Sequence, residues 1–291
     1  MQNLNIYNKV KRWVKGLLPF YLFALLPLSM SAQTTWQEAD SIKICRLLGQ
    51  GSQQTTTLWL ARQFLDVPYV AHTLEVNDHE RLVVNTRQLD CTTLVETVTA
   101  LKRCTRQGRK TFADYRQELQ RLRYRDGRLT DYTSRLHYFS DWIDNKVSMG
   151  LVEEVQRPNP PFTAVQKLNI NYMSQHPQSY KALKEHPQFV PVIRQQEEAL
   201  TGRTYRYIPK AQVRNTQLLR QTVKDGDIIA ITCSKAGLDI AHLGFAVWRK
   251  DGLHLLNASM LHKKVVEEPM TLYRYLQKHP TFTGIRIIRI K

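Results

Sequence analysis

The stretch Leu89-Asp90-Cys91-Thr92-Thr93 restricts what this chain can fold into more than any other part of the sequence. Apolar residues follow it at helical spacing, beginning with Leu94 and Val98, which predicts a helix that packs by one face. Asp90 is the expected N-cap, so Cys91 falls in the first turn. Backbone N–H groups and the helix dipole converge there and favour a thiolate, the nucleophilic form of cysteine. A buried structural cysteine, or half of a disulfide, is the alternative interpretation.

Residues 1–32 are typical of a signal peptide. Four basic residues precede a mostly apolar run at 17–28, and small residues offer a cleavage site just before Gln33. The apolar run is short for a membrane-spanning helix, although an uncleaved anchor stays an alternative. We therefore expect an exported, periplasmic protein that contacts the membrane only through this segment.

The remaining residues, 33–291, are enough for a single catalytic domain with a sizeable core. Without the four basic residues of the leader, the formal net charge of +17 becomes +13, which favours anionic partners such as the cell wall or outer-membrane lipid. No recognition helix, zinc knuckle or stacking motif appears in the sequence, so nucleic acid is not an expected partner. We expect a monomer.

The other cysteines are Cys45, Cys104 and Cys233. An exported chain can hold disulfides. On the predicted helix Cys91 and Cys104 lie about 20 Å apart, whereas a disulfide needs Cα atoms within about 7 Å, so that pair is excluded. Cys104 is expected to be a small buried hydrophobe, and Cys45 and Cys233 can pair or stay free.

The order of the predicted elements indicates an α+β fold. Helices come first and include the one that begins near Cys91, and residues 111–200 are mostly helical and polar. Strand-like runs follow at 228–232, 243–248, 253–257 and 284–290, with turns between them. The sequence thus predicts a helix that carries Cys91 packed on an antiparallel sheet, with a helical insertion at about 105–215.

A cysteine nucleophile needs a base, and the base needs a residue that orients it. His242 stands near the head of one predicted strand, and Asn257 stands at the end of the next strand across a hairpin. Side chains on one face of paired strands can meet. The chain order Cys91, His242, Asn257 is the papain-like order, although a single histidine beside a strand is more often structural.

Residues 132–142 are dense in side chains that hydrogen-bond sugars or stack on them. The candidates for substrate binding in this run are Tyr132, Ser134, Arg135, His137 and Tyr138. Arg135 can also meet a carboxylate of a peptide in bidentate fashion. We predict that this run forms a wall of the pocket beside Cys91. A helix with an aromatic core face is the alternative.

Several of these stretches together resemble an NlpC/p60-type cysteine amidase, specifically the N-acetylmuramoyl-L-alanine amidase-like group also known as domain of unknown function 1460. The resemblance covers nearly all of the chain after residue 32. The stretches that carry it are Val67-Pro68-Tyr69, Leu89-Asp90-Cys91-Thr92-Thr93, Tyr132-Thr133-Ser134-Arg135-Leu136-His137-Tyr138, Gly226-Asp227-Ile228-Ile229, Gly237-Leu238-Asp239-Ile240-Ala241-His242-Leu243-Gly244-Phe245 and Leu255-Leu256-Asn257-Ala258-Ser259.

The resemblance implies a papain-like NlpC/p60 core and assigns roles to residues. Cys91 would be the nucleophile and His242 the base, with Tyr69 near the oxyanion and Asp239 among the substrate-binding residues. The third catalytic position falls on Asn257, where relatives often carry histidine. The chain also has Thr93 where ordinary NlpC/p60 enzymes have glycine, which suggests a different pocket.

The function that the resemblance implies is hydrolysis of the amide bond between N-acetylmuramic acid and the L-alanine of the stem peptide. Peptidoglycan fragments, anhydro-muropeptides among them, would be the substrates. The alternatives are a γ-D-glutamyl-diaminopimelate endopeptidase and a non-catalytic cell-wall binding protein. No cofactor is expected. No His-Glu-x-x-His or similarly spaced set appears in the sequence, so a metal site is not expected either.

Overall fold

The computed structural model describes residues 34–50 and 55–291, so the predicted signal peptide lies outside the described residues. The helices are α1 (Glu38–Leu48), α2 (Thr57–Arg62), α3 (Cys91–Arg106), α4 (Phe112–Arg123), α5 (Phe139–Ser148), α6 (Tyr172–Gln175), α7 (Lys181–Glu185), α8 (Phe189–Leu200), α9 (Gln217–Thr222) and α10 (Leu272–Gln277). The strands are β1 (Thr34–Thr35), β2 (Leu82–Val83), β3 (Val152–Val155), β4 (Ala164–Lys167), β5 (Thr204–Pro209), β6 (Ile228–Cys233), β7 (Ile240–Trp248), β8 (Leu253–Ser259), β9 (Lys264–Glu267) and β10 (Phe282–Ile290).

One eight-stranded sheet organises the fold. Its strand order is β4-β5-β10-β6-β7-β8-β9, and β3 pairs with β10 beside this path. All of its pairings are antiparallel, whereas β1 and β2 form a separate parallel pair. The prediction of several helices with an antiparallel sheet is therefore confirmed.

The central strands of this sheet are buried on both faces. In β6, Ile228 and Ala230 belong to the apolar cluster that contains α3, while Ile229 and Ile231 belong to the cluster that contains α9 and α10. A strand covered on both sides needs apolar residues at successive positions, which is why β6 has no polar alternation.

Helix α3 is fixed inside the molecule by buried ion pairs as well as by apolar packing. Arg123 donates to Glu96 of α3 at 2.7 Å and to the carbonyl of Val83 at 2.6 Å. Arg103 of α3 pairs with Glu118 of α4, and both side chains are buried. Loss of one partner from such a pair costs about 3–5 kcal/mol because it leaves an uncompensated buried charge. These contacts hold the middle and the C-terminal part of α3 in a fixed position.

The predicted insertion at about 105–215 contains helices α4 to α8 but also three strands, which the sequence prediction did not include. Strands β3 and β5 pair with β10 at the end of the chain, and β4 pairs with β5. The strands are short and partly polar, and β4 alternates between half-buried and exposed residues. Their pairing depends on distant residues of β10, so local periodicity gives only a weak signal for them.

The four cysteines all lie among the described residues and all are free thiols. Cys104 is fully buried, as predicted, while Cys45 is exposed and Cys233 is buried. No helix within residues 34–50 and 55–291 is long and apolar enough to cross a membrane.

Candidate active site

Helix α3 begins at Cys91 because Asp90 and Thr93 cap its first turn. An Asp90 carboxylate oxygen accepts the backbone N–H of Thr93 at 2.8 Å, and the Thr93 hydroxyl accepts the N–H of Asp90 at 2.9 Å. This reciprocal capping box satisfies two donors at once and confirms Asp90 as the N-cap. It also gives a reason for threonine at position 93, because glycine has no hydroxyl to complete the box.

Cys91 is half-buried and packs against the apolar cluster that surrounds α3. Burial, together with the negative charge of Asp90, raises the pKa of the Cys91 thiol to about 12. The backbone N–H groups of Leu243 and Thr92 lower the pKa of this thiol, as predicted for a helix start, but burial outweighs them. The prediction of a net stabilised thiolate is therefore wrong: the thiol is the resting form. The contact with Leu243 places the sulfur beside β7.

His242 reaches this region because of an irregularity in β7. Ile231 pairs with His242, but the next residue of β6, Thr232, pairs with Ile240, so Ala241 is an extra residue in β7. A bulge of this kind bends the strand and redirects the side chains next to it. The extra residue, Ala241, lies one position before His242 and two positions before Leu243. The backbone N–H of Leu243 faces the Cys91 sulfur.

The His242 side chain contacts Asn257 across the β7–β8 pair. Nε2 of His242 lies 2.9 Å from Oδ1 of Asn257. The two residues are diagonal neighbours, because the register Phe245–Leu256 places Gly244 opposite Asn257. The Cβ of any other residue at position 244 would lie 2.7 Å from the carbonyl oxygen of Leu256. Glycine thus permits the close approach of β8 to β7 that brings Asn257 to the imidazole.

The orientation of the Asn257 amide determines which nitrogen of His242 carries the proton. The Asn257 amide nitrogen lies 3.5 Å from the carbonyl of Leu255 and 3.5 Å from a carboxylate oxygen of Glu268. Both neighbours accept hydrogen bonds, so the NH₂ group faces them and Oδ1 faces His242. Nε2 of His242 therefore donates its hydrogen to Asn257, and Nδ1 has the lone pair of a base.

Burial lowers the pKa of His242 from its ordinary value. The hydrogen bond to Asn257 and the charges of Glu268 and Asp90 act in the opposite direction, and His279 lowers the pKa further. Because the pKa of Cys91 is raised and that of His242 is lowered, both groups are neutral at pH 7. A neutral imidazole with a free Nδ1 can accept a proton, as a general base requires.

Tyr69 lies beside Cys91 on the segment that precedes the nucleophile stretch. Its backbone N–H donates to the carbonyl of Lys263 at 2.9 Å, and it forms an isolated parallel bridge with Leu89. Partial burial, then Cys91 and Asp90, raise the pKa of Tyr69 to about 12, so its hydroxyl is a neutral donor at pH 7. Among the described residues, the backbone N–H of Cys91 has no acceptor in the protein.

Three of the predicted substrate-binding residues form one internal cluster. Arg135 donates to Glu80 at 2.8 Å, and its guanidinium lies 4.8 Å from the ring centre of Tyr132. Nε2 of His137 lies 2.9 Å from the carbonyl of Tyr132. Burial, and then the charge of Arg135, lower the pKa of His137 to about 3. Arg135 and His137 therefore have internal partners, which favours a structural role for them.

The other three predicted substrate-binding residues also make internal hydrogen bonds. The Ser134 hydroxyl donates to the carbonyl of Asp131 at 2.6 Å, and the Tyr138 hydroxyl donates to Glu197 at 2.6 Å. The Asp239 carboxylate accepts the N–H of Ser140 at 2.6 Å, which caps the start of α5. Asp239 thus joins the insertion to the beginning of β7, three residues before His242.

A cavity of about 380 Å³ lies where the insertion meets residues 74–80. Tyr132, Arg135 and Phe189 contribute to its walls, and the rings of Tyr132 and Phe189 stack with centres 6.3 Å apart. Among the residues that the structure describes, none of the four predicted catalytic residues lines this cavity. The prediction that residues 132–142 form a wall of the pocket beside Cys91 therefore stays a prediction.

Three residues near His242 were not identified from the sequence. Glu268 lies behind Asn257, the Tyr275 ring centre is 6.5 Å from that of His242, and the His279 ring packs on Tyr275 with a centroid distance of 4.6 Å. Glu268 follows β9, a strand that was not predicted. The only sequence signal for it was a pair of glutamates before a proline. In the described part of the chain, no group of three or more His, Cys, Asp or Glu side chains is arranged to hold a metal ion.

A half-buried thiol beside a His–Asn pair, on a mixed helix-and-sheet fold, defines a candidate hydrolase site. A family model described as AmiA-like, N-acetylmuramoyl-L-alanine amidase-like, matches residues 59–285. The chain belongs to this AmiA-like family. No curated protein matches the chain.

Solved structures support the same assignment. A Bacteroides uniformis N-acetylmuramoyl-L-alanine amidase is 41% identical with a TM-score of 0.75, and the match covers 84% of this chain and 100% of that one. A Bacteroides fragilis protein that was provisionally assigned as a xylanase is 43% identical with a TM-score of 0.75, over 80% of this chain and 100% of that one. A Legionella pneumophila protein of domain of unknown function 1460 is 20% identical with a TM-score of 0.65, over 87% and 93%, and shares the fold.

Proposed function

We propose that this protein is a cysteine-dependent N-acetylmuramoyl-L-alanine amidase that acts on peptidoglycan fragments. The amidase-like family and the Bacteroides uniformis neighbour support the reaction class. The observation that carries the cysteine mechanism is the 2.9 Å contact between His242 and Asn257. The residue after His242, Leu243, directs its backbone N–H at the Cys91 sulfur. Fragments of peptidoglycan, anhydro-muropeptides included, are the proposed substrates.

In the first step, Nδ1 of His242 takes the proton of the Cys91 thiol as the sulfur attacks the carbonyl carbon of the lactyl group. The sulfur–carbon bond forms while the imidazolium is stabilised by the hydrogen bond from Nε2 to Asn257. Deprotonation during the attack suits a thiol whose resting pKa is about 12, because no free thiolate has to accumulate.

In the tetrahedral intermediate, the negative charge falls on the former carbonyl oxygen. The Cys91 backbone N–H and the Tyr69 hydroxyl are the proposed donors to it. The imidazolium of His242 then returns its proton to the nitrogen of L-alanine, and the carbon–nitrogen bond breaks. Water, activated by the same imidazole, hydrolyses the thioester and leaves a lactyl carboxylate on the sugar.

We also propose that the core is papain-like and of the NlpC/p60 type. The support is the order of its parts: a helix that begins with the nucleophile, packed on an antiparallel sheet whose neighbouring strands carry the base and the orienting residue. Thr93 replaces the glycine of ordinary members and completes the capping box. The changed residue lies two positions from the nucleophile.

A glycosidase activity, which the Bacteroides fragilis neighbour suggests, suits the site less well. Retaining glycosidases use two carboxyl groups about 5–5.5 Å apart, one on each side of the scissile bond. Asp90 and Glu268 are the two carboxylates that influence His242. Asp90 is engaged as the cap of α3, and Glu268 is fully buried behind Asn257. This arrangement favours the amide bond as the target.

Incubation of the purified protein with a defined disaccharide-tetrapeptide, followed by mass spectrometry, tests the proposal. Free disaccharide and an intact tetrapeptide are the expected products. A peptide cut between D-glutamate and diaminopimelate would instead identify an endopeptidase. Unchanged substrate that the protein retains on a column would identify a binding protein. Either of these outcomes contradicts the amidase proposal.

Export to the periplasm is part of the proposal, since peptidoglycan fragments occur there. Its support is the predicted signal peptide at residues 1–32. N-terminal sequencing of the protein from the periplasmic fraction is expected to begin at Gln33. Recovery of full-length protein from the cytoplasm alone would contradict it.

A further inference from the structure

Glu268 is a fully buried carboxylate for which the proposed mechanism has no role yet. It directly follows β9, and its side chain has 0% exposure. Its backbone is held firmly: its N–H donates to the carbonyl of Leu255 at 2.8 Å, and its own carbonyl lies 2.9 Å from Nδ1 of His254. A carboxylate in such a place is costly unless polar partners compensate it.

The two oxygens of Glu268 face two different side chains. One lies 3.5 Å from the amide nitrogen of Asn257, and the other lies 3.2 Å from Nε2 of His262. Since Asn257 contacts His242 through its other end, the three residues His242, Asn257 and Glu268 form a continuous polar row across β7, β8 and the end of β9.

We propose that Glu268 is a positioning residue that holds the Asn257 amide with its oxygen toward His242 and supports the imidazolium that forms during attack on the substrate. The inference rests on the proposed roles of Cys91 and His242. A carboxylate can only accept a hydrogen bond, so it retains the NH₂ end of the amide and leaves Oδ1 for the imidazole. The carbonyl of Leu255 acts in the same direction.

The charge of Glu268 also acts on His242 through space. Glu268 and Asp90 raise the pKa of His242 against the effect of burial, while His279 lowers it. The titratable groups that act on or lie against the His242 ring are Glu268 after β9, His279, Asp90 at the start of α3, and Tyr275 of α10. His262 faces Glu268 itself at 3.2 Å. Of these, Glu268 is the one that also fixes the orienting residue.

Two variants separate the charge of Glu268 from its shape. Glu268→Gln keeps an oxygen for the Asn257 amide but removes the charge, and Glu268→Ala removes both. Glu267→Gln is the matched control, because Glu267 lies one position earlier and pairs with Arg62 and Arg249 at the surface. Circular dichroism and thermal melts establish the folded fraction of each variant. Glu268→Gln is close to isosteric, so it keeps the test valid if Glu268→Ala does not fold.

The first readout is kcat/KM for muropeptide hydrolysis as a function of pH. For Glu268→Gln we expect a plateau about threefold lower, which corresponds to about 0.6 kcal/mol in the activation free energy. Its acid limb should move to lower pH, because loss of the negative charge lowers the pKa of His242. Glu268→Ala should lose more, and Glu267→Gln should match the wild type in both plateau and limb.

The second readout is alkylation of Cys91 by iodoacetamide over the same pH range, which needs no peptidoglycan. We expect slower alkylation of both Glu268 variants at neutral pH and convergence with the wild type at alkaline pH. If the wild type cleaves no muropeptide but the variants change alkylation in this way, the inference holds and the substrate proposal fails. If both pH profiles stay unchanged, or if activity falls only in proportion to folded protein, Glu268 is structural and the inference is overturned.

Discussion

Cys91 and His242 have pKa values that move in opposite directions, and this sets the chemistry at the scale of the single residue. Burial raises the pKa of the thiol to about 12 and lowers that of the imidazole. In the proposed mechanism the proton therefore moves as the sulfur attacks the carbonyl carbon.

Replacement of the nucleophile is the simplest prediction at this scale. Cys91→Ala should abolish turnover and change the free energy of unfolding by less than about 1 kcal/mol, because it removes one sulfur atom from a half-buried position. Cys91→Ser should be nearly as inactive, since His242 is adapted to a thiol. Cys45→Ser is the control, because Cys45 is an exposed free thiol. Kinetic assays and thermal melts check these outcomes, and clear turnover by Cys91→Ala would exclude the cysteine mechanism.

The orienting residue should matter less than the base. Asn257→Ala removes one hydrogen bond to the imidazole, worth about 1 kcal/mol net, so kcat/KM should fall about fivefold or somewhat more. His242→Ala removes the base and should cost about 10²- to 10⁴-fold. Steady-state kinetics of both variants measure the difference. Equal losses would mean that the roles are ranked wrongly.

The helix cap at Asp90 and the contact between His242 and Asn257 could be predicted from the sequence for a physical reason. Capping of a helix start is local, so Asp90 and Cys91 could be placed from the residues around them, and the short hairpin brought His242 and Asn257 together. Glu268 could not be predicted, because its contact with Asn257 depends on the β8–β9 register and on an unpredicted strand. Nor could composition reveal that Arg135 has an internal partner in Glu80.

At the scale of the element, the close approach of β7 and β8 depends on Gly244. Gly244→Ala would bring a Cβ to 2.7 Å from the Leu256 carbonyl, so β8 has to move away from β7. We expect a loss of about 1–3 kcal/mol in stability, as for other overpacked sites, and a lower kcat/KM because Asn257 moves from His242. Gly49→Ala is the control, because the nearest atom to its Cβ would be 3.5 Å away. Denaturant unfolding and kinetics test the pair, and an unaffected Gly244→Ala would refute this account of the hairpin.

The cluster of residues 132–137 permits a prediction on pH and stability. The pKa of His137 falls from 6.5 to about 3 on folding, so between these values the unfolded chain binds more protons. Stability is therefore lost as the pH falls through this window. His137→Gln keeps a donor for the Tyr132 carbonyl and should make the dependence shallower, while exposed His79→Gln should not. Melting temperatures from pH 3 to pH 7 decide this. An unchanged slope with a raised KM would instead indicate substrate recognition by His137.

The strands show where element prediction from sequence stops. Strands β6, β7, β8 and β10 were predicted because their apolar runs are bounded by turn residues. Strand β9 was missed because the turn before it contains Lys263 at a positive φ of 57°, where a glycine would have been the recognisable signal. In β10 isoleucines alternate with arginines, yet Arg286 is fully buried and donates to Glu154 and Ser140. Arg286 is buried by residues of the insertion, and the local periodicity of β10 gives no information about such distant contacts.

At the scale of the whole molecule, the insertion is tied to the sheet at two places. Strand β3 pairs with β10, and Asp239 joins α5 to the strand that carries His242. A substrate contact made by the insertion can therefore influence the base through the backbone. The strongly basic composition, with 42 lysines and arginines against 25 acidic residues, suits an anionic cell-wall substrate.

Turnover in the presence of hydroxylamine tests the central claim most directly, because it reports the nucleophile and the scissile bond together. Hydroxylamine intercepts a thioester at Cys91 in competition with water, whatever the rate of deacylation. We predict that mass spectrometry will find a hydroxamate on the lactyl group of the muramic acid, alongside an intact stem peptide, and that Cys91→Ala will give neither product. Formation of the free carboxylic acid alone at saturating hydroxylamine, or a hydroxamate on a peptide fragment, would contradict the account.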